Sequence, residues 1–176
     1  FDGPVTAIPD DAFKSCGQLT SVILPPNVAS IGDYAFYGCT SLESITFTGS
    51  VSEIGSHAFY DCSSLVELIV PESVTQIGSH AFYRCKKLRN FDIPDGLTSI
   101  SDYMFYECSA LEEIVLPLSI TSIGSYAFYK CSSIDEIIIP KNVSSIGSYA
   151  FAYCSSLKSV ICLRTTPPAG SNQMFS

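Results

Sequence analysis

Between residues 42 and 62 the apolar positions change their spacing twice. In Leu42-x-x-Ile45-x-Phe47, Ile45 and Phe47 alternate with Ser44 and Thr46, the period-two signature of a half-exposed strand. Val51-x-x-Ile54 then places two apolar residues inward on an irregular or short extended segment. Next come Ala58-Phe59 and, three residues on, Cys62, a spacing that predicts one short helical turn with Phe and Cys on its inner side. This block is one copy of a unit that recurs every 23 residues, with openings at Ile31, Ile54, Ile77, Ile100, Ile123 and Ile146 and a looser one at Ile8. A fixed period of this length decides the fold.

The copies agree column by column. The inward strand pairs are Val22/Leu24, Ile45/Phe47, Leu68/Val70, Phe91/Ile93, Ile114/Leu116, Ile137/Ile139 and Val160/Cys162. Pro25, Pro71, Pro94, Pro117 and Pro140 close most of them, because proline cannot donate to a ladder. Glycine at 32, 55, 78, 124 and 147 implies a tight turn or a close backbone approach. Asp10, Asp33, Ser56, Ser79, Asp102, Ser125 and Ser148 follow, and both residue types favour helix N-caps. Phe13, Phe36, Phe59, Phe82, Phe105, Phe128 and Phe151 are expected to stack as a spine.

The expected fold is an α/β solenoid, a right-handed superhelix of about 23-residue repeats with one parallel β-sheet and short helical turns opposite. Residues 1–176 form a single array of units 8–30, 31–53, 54–76, 77–99, 100–122, 123–145 and 146–176. The last unit departs from the pattern, and its Met174-Phe175 echoes Met104-Phe105. Phe1-Asp2-Gly3-Pro4 carries no signal-peptide character, and the chain is expected to be a piece of a longer protein.

Composition narrows the function. The chain is 47% hydrophobic and 15% charged, ample for a continuous core, and its net charge of −8 argues against nucleic acid. No apolar run approaches the ~20 residues of a membrane-spanning helix. Seven of the eight cysteines, Cys16, Cys39, Cys62, Cys85, Cys108, Cys131 and Cys154, stand at one register. Disulfide frameworks use irregular pairs in core-poor domains. The regular column is therefore read as structural, buried and free, with each S–H bonding a nearby carbonyl. Cys162 stands outside it.

The strand L-x-x-[IV]-x-[ILF] resembles leucine-rich repeats. The fuller motif I-G-x-x-A-F-x-x-C-x-x-L-x-x-I-x-[IL]-P-x-x-[VI] is similar to the BspA-like, Treponema pallidum-type class of them, over residues 5–176. Thr165-Thr166-Pro167-Pro168 looks like that family's terminal variant. The resemblance implies a secreted or surface protein linked to adhesion and to binding host matrix proteins, with no catalytic residues to carry over.

Every Ser, His and Cys that might serve chemistry belongs to a repeating column, except Cys162, and no phosphate loop, nucleophile elbow or metal-ligand spacing occurs. The expectation is a non-enzymatic protein without metal or cofactor. His57 and His80 fall in a tyrosine column with Tyr34, Tyr103, Tyr126 and Tyr149, and a second column holds Tyr37, Tyr60, Tyr83, Tyr106 and Tyr129. Packing accounts for both, with an aromatic recognition surface as the alternative. Asp61, Arg84, Glu107 and Lys130 alternate in sign, as do Arg89 and Glu112, which predicts surface ion-pair ladders.

The candidate protein-binding surface is the outward sheet face. One column is Ile23, Thr46, Ile69, Asp92, Val115, Ile138 and Ile161. The other contributes Glu67, Asn90, Glu113 and Glu136, and with Glu112 and Asp135 it makes one end of the face acidic. Exposed aliphatic residues in a row mark an interaction site. The reading is protein–protein binding or adhesion at a cell surface. A passive spacer presenting another domain and an intracellular interaction scaffold are the alternatives.

Overall fold

The structure, a computed structural model, describes residues 5–166, 168–170 and 173–175. The N-terminal tetrapeptide and Pro167 lie outside the described residues. The fold is a parallel β-solenoid of about seven turns. Its strands in order are β1 (Ala7–Ile8), β2 (Ser21–Leu24), β3 (Ser30–Ile31), β4 (Ser44–Phe47), β5 (Glu53–Ile54), β6 (Gln76–Ile77), β7 (Ser99–Ile100), β8 (Ser122–Ile123), β9 (Glu136–Ile139), β10 (Ser145–Ile146), β11 (Ser159–Cys162) and β12 (Ala169–Gly170). Every pairing is parallel and joins equivalent positions of successive repeats, as Val22 with Ile45 and Ile31 with Ile54.

The expected single sheet is instead two columns of strands. The Val51-x-x-Ile54 segment, expected to be irregular or a short extended stretch, closes as short strands the more continuous of them: β1-β3-β5-β6 and then β7-β8-β10-β12. Its isoleucines are buried, and the following glycine N–H donates to the isoleucine carbonyl one repeat back, as Gly55 N to Ile31 O at 2.8 Å. A Cβ on Gly55 would lie 2.6 Å from Asp33 Oδ1 and 2.7 Å from Asp33 N, so only glycine lets the turns approach this closely. The copy at 101 carries serine. There the Ser101 hydroxyl replaces the amide and donates to Ile77 O at 2.6 Å, and the strand ladder stops between β6 and β7.

The expected helical turns are absent: no helix occurs among the described residues. Two columns adopt left-handed backbone instead. Tyr34, His57, His80, Tyr103, Tyr126 and Tyr149 have φ between 56° and 60°, and so, four residues on, do Asp61, Arg84, Glu107, Lys130 and Tyr153. A left-handed residue at every fourth position breaks a right-handed helix, at a cost of ~1–2 kcal/mol for each non-glycine residue. The compensation is hydrogen bonding between repeats. Tyr34 N, Phe36 N and Gly38 N donate forward to Ser56 O, Ala58 O and Tyr60 O at 3.0, 2.8 and 2.7 Å. The amides between them close tight turns, as Tyr37 N to Tyr34 O at 3.0 Å. The Asp residues read as N-caps serve the same ladder, with Asp33 Oδ1 accepting from Ser56 N at 2.6 Å.

The core follows the columns. Successive spine phenylalanines from Phe13 to Phe151 stack nearly parallel with centroids 5.1–5.6 Å apart. Each thiol from Cys39 to Cys154 donates to the Phe carbonyl of the preceding repeat at 3.0–3.2 Å. Burial pushes the Cys39 and Cys154 thiols up to about 11, and raises those of Cys62, Cys85, Cys108 and Cys131 as well. Cys16, in the first turn, is exposed and departs from the buried column. All eight cysteines are free. At the C-terminal end Met174-Phe175 continues the stack: Phe151 N donates to Met174 O at 2.9 Å and Phe175 stacks on Phe151 at 5.6 Å.

Candidate functional site

The outward strand positions form one solvent-facing surface because each strand alternates its side chains across the ladder. Ile23, Ile69 and Val115 are 73%, 70% and 66% exposed, Ile138 and Ile161 follow in the same row, and Thr46 and Asp92 between them are also exposed. Glu67, Asn90, Glu113 and Glu136 stand beside them, all exposed. No lysine or arginine occupies either column.

Pairing across this face is uneven. β2 pairs with β4, and β9 with β11, over four residues each. Between them only two isolated bridges remain, Glu67 with Asn90 and Asn90 with Glu113. No strand pairing links residues 113–116 to β9. A cleft of about 670 Å³ opens over that break. Glu113 and Val115 line it from one repeat, Glu136 and Ile138 from the next, with Glu112, Asp135 and Lys158 at its margin. Like charges occupy equivalent positions of adjacent turns here, Glu113 with Glu136 and Glu112 with Asp135, and such pairs disfavour close lateral contact. Lys158, Ser133 and Ser156 also line the cleft, and the sequence pattern does not single them out. Lys158 shares a column with Asp135, and the two form an exposed ion pair at 3.5 Å.

The opposite edge is closed. Tyr37, Tyr60, Tyr83, Tyr106 and Tyr129 stack at 4.4–4.7 Å with interplanar angles of 2–13°. The second row runs Tyr34, His57, His80, Tyr103, Tyr126, with neighbours 4.5–4.8 Å apart. Ring faces inside these rows are covered by neighbouring rings, so the rows offer edges and hydroxyls rather than flat platforms. His57 and His80 lie face to face at 4.5 Å, and both Nδ1 atoms are buried without a hydrogen-bond partner. Burial lowers both pKa values; His57 lowers that of His80 further, while Asp33 and Asp102 oppose the shifts. Among the described residues no group of three His, Cys, Asp or Glu side chains is placed to hold a metal ion.

Of the predicted charge ladders, one segment forms. Glu107 accepts from Arg84 at 2.8 Å and from Lys130 at 3.3 Å. Burial would raise the Glu107 carboxyl, but its two cationic partners outweigh that and hold it below the ordinary value. Among the described residues, Asp61 does not join this ladder, and Arg89 and Glu112 form no ion pair.

Against known proteins, the family described as BspA type leucine rich repeat region matches residues 6–131 and 53–174, in six copies. Among solved structures, a leucine rich cell surface protein from Faecalibacterium prausnitzii A2-165 is similar at 39% identity with a TM-score of 0.87, covering 97% of this chain and 46% of that one. A leucine-rich repeat protein from Bacteroides ovatus ATCC 8483 shares 36% identity at a TM-score of 0.64, over 81% of this chain and 33% of that one. The T. pallidum leucine rich repeat protein shares 30% identity at a TM-score of 0.63, over 97% and 69%. The chain thus spans less than half the length of the first two. No curated protein sequence matches it.

Proposed function

Because the chain belongs to the BspA-type leucine-rich repeat family, we propose that it is a non-enzymatic binding protein of a cell surface or a secreted assembly, engaging protein partners through its sheet face. The observation that carries this reading is the row of aliphatic side chains held out on that face, with Ile23, Ile69 and Val115 between 66% and 73% exposed. Their inward neighbours Leu24, Leu68 and Ile114 are buried, so the row is not a misplaced part of the core. Exposed apolar residues on a rigid frame provide contact area with little ordering cost on binding. A similar structure's description as a cell surface protein supports the location. Host matrix proteins are the partner class this reading favours, and adhesion is the role.

The test is binding of the purified protein to a panel of immobilised extracellular matrix proteins, with and without Ile69→Ser, Val115→Ser and Ile138→Ser together. Saturable binding that the triple variant loses, with its circular dichroism unchanged, is the expected result. Binding that the variant retains in full overturns the sheet-face assignment. A folded protein that engages no member of the panel leaves the spacer reading in its place.

A further inference from the structure

The cleft between residues 113–116 and β9 has walls of one pattern. Glu113-Ile114-Val115 and Glu136-Ile137-Ile138 both read acid, inward residue, aliphatic, and Glu67-Leu68-Ile69 repeats it two turns earlier. Acid and aliphatic are therefore spaced i, i+2 on each wall, roughly 6.6–7 Å apart along an extended chain. Ile114 and Ile137 are buried in the core, Ile114 also forming part of the cleft lining, and Glu113, Val115, Glu136 and Ile138 line the opening as exposed residues. The two walls are not paired with each other, although the turn edges of the same repeats stack at 4.7 Å through Tyr106 and Tyr129. The opening is thus confined to the sheet face.

Resting on the sheet-face reading, we propose that this cleft receives an extended segment of a partner protein that carries a lysine or arginine and an aliphatic residue two positions apart. Such a segment has the same residue spacing as the walls. Its cations meet Glu113 and Glu136, and its aliphatic side chains meet Val115 and Ile138. Charge complementarity selects this occupant. The two outward columns hold four carboxylates, Glu67, Asp92, Glu113 and Glu136, and no cation, and Glu112 and Asp135 add to the field at the cleft margin. Lys158 is 78% exposed and its 3.5 Å contact with Asp135 is readily exchanged. An acidic segment meets like charge on both walls, which disfavours it.

The probes are three synthetic peptides of equal length, repeating Lys-Thr-Ile-Thr, Glu-Thr-Ile-Thr and Lys-Thr-Ser-Thr, with affinity read by fluorescence anisotropy at low and moderate salt. The first is expected to bind, more weakly as salt rises, and the other two at least about tenfold more weakly. Glu113→Gln with Glu136→Gln should weaken the first peptide by about tenfold or more, and Glu53→Gln, on the other strand column, should not. Circular dichroism of each variant establishes that it is folded. Equal binding of the Lys-Thr-Ile-Thr and Glu-Thr-Ile-Thr peptides, or full affinity in the double Gln variant, overturns the proposal. If the Lys-Thr-Ile-Thr peptide fails while matrix proteins still bind in a manner dependent on Ile69, Val115 and Ile138, this proposal alone falls; if both fail, the sheet-face reading falls with it.

Discussion

At one edge of the repeats, Tyr106 and Tyr129 stack at 4.7 Å and Glu107 N donates to Tyr129 O at 2.8 Å. At the other, residues 113–116 and β9 of those repeats share no strand pairing, and a cleft lies over them. The two edges are built from the same chain at the same height in the stack. The turn edge is held by four kinds of column at once: stacked rings, amides donating forward, thiols donating back, and buried phenylalanines. Its buried Phe and Cys positions cannot change without disturbing the repeat on either side. The sheet face needs only its inward residues for the core. Its outward residues are free to vary, and in the middle of the array they do, from Ile69 to Asp92 to Val115. On the proposed reading, rigidity at one edge is what lets the other edge carry specificity.

Substitutions should separate the edges most sharply in stability. Phe82→Ala removes a fully buried ring between Phe59 and Phe105 and is expected to cost about 3–5 kcal/mol in urea unfolding. Ile69→Ser, 70% exposed, is expected to stay within about 0.5 kcal/mol. Comparable losses from the two would erase the distinction.

The close approach of the turns gives the next effect. Gly55→Ala places a Cβ 2.6 Å from Asp33 Oδ1 and should cost about 1–3 kcal/mol through overpacking. Ser101→Gly runs the other way. It is expected to restore an amide donor to Ile77 O and to join β6 to β7, seen as slower hydrogen exchange of the residue-101 amide. An unchanged exchange rate there would mean that the serine is not what interrupts the ladder.

A smaller effect comes from the stacked histidines. The folded state holds both His57 and His80 below the ordinary value of 6.5, chiefly by burial. The unfolded chain therefore binds more protons as pH falls below that value, and stability falls with it. Their full contribution is present above the ordinary value and is lost as pH drops from there through the folded values. The groups facing the pair are Asp33 and Asp102, which favour protonation, and the rings of Tyr34, Tyr60, Tyr83 and Tyr103. Replacing both histidines by tyrosine, the commoner residue of the column, should flatten the melting temperature between about pH 7 and pH 5 relative to the parent. An identical pH profile in both proteins would contradict this.

Much of the turn edge was legible because its Phe and Cys columns each repeat one residue type. Phe59 and Cys62 show their inward register in every copy, and the period alone predicts a stack. The backbone of that edge was not legible. Phe and Cys three apart, after an Asp or Ser, read as one turn of helix, and the left-handed residues that forbid it are Tyr, His, Asp, Ser, Arg, Glu and Lys. Only Gly38, one member of its column, has the residue type that such a conformation favours. The second column was legible as a short extended or irregular segment with inward apolar residues, but not as a paired ladder, because two-residue strands carry no alternation to detect. On the sheet face, Glu113, Val115, Glu136 and Ile138 were legible as outward residues. The cleft between them was not, because it depends on whether neighbouring strands pair, which period-two alternation does not encode.

A closed turn edge and an open sheet face in the same repeats should differ in residue-resolved amide hydrogen exchange. Phe105 N and Glu107 N, each donating at 2.8 Å to the following repeat, should exchange only with unfolding of the array. The amides of Val115 and Leu116, beside the unpaired cleft, should exchange orders of magnitude faster. Equal protection at the four positions would contradict the account.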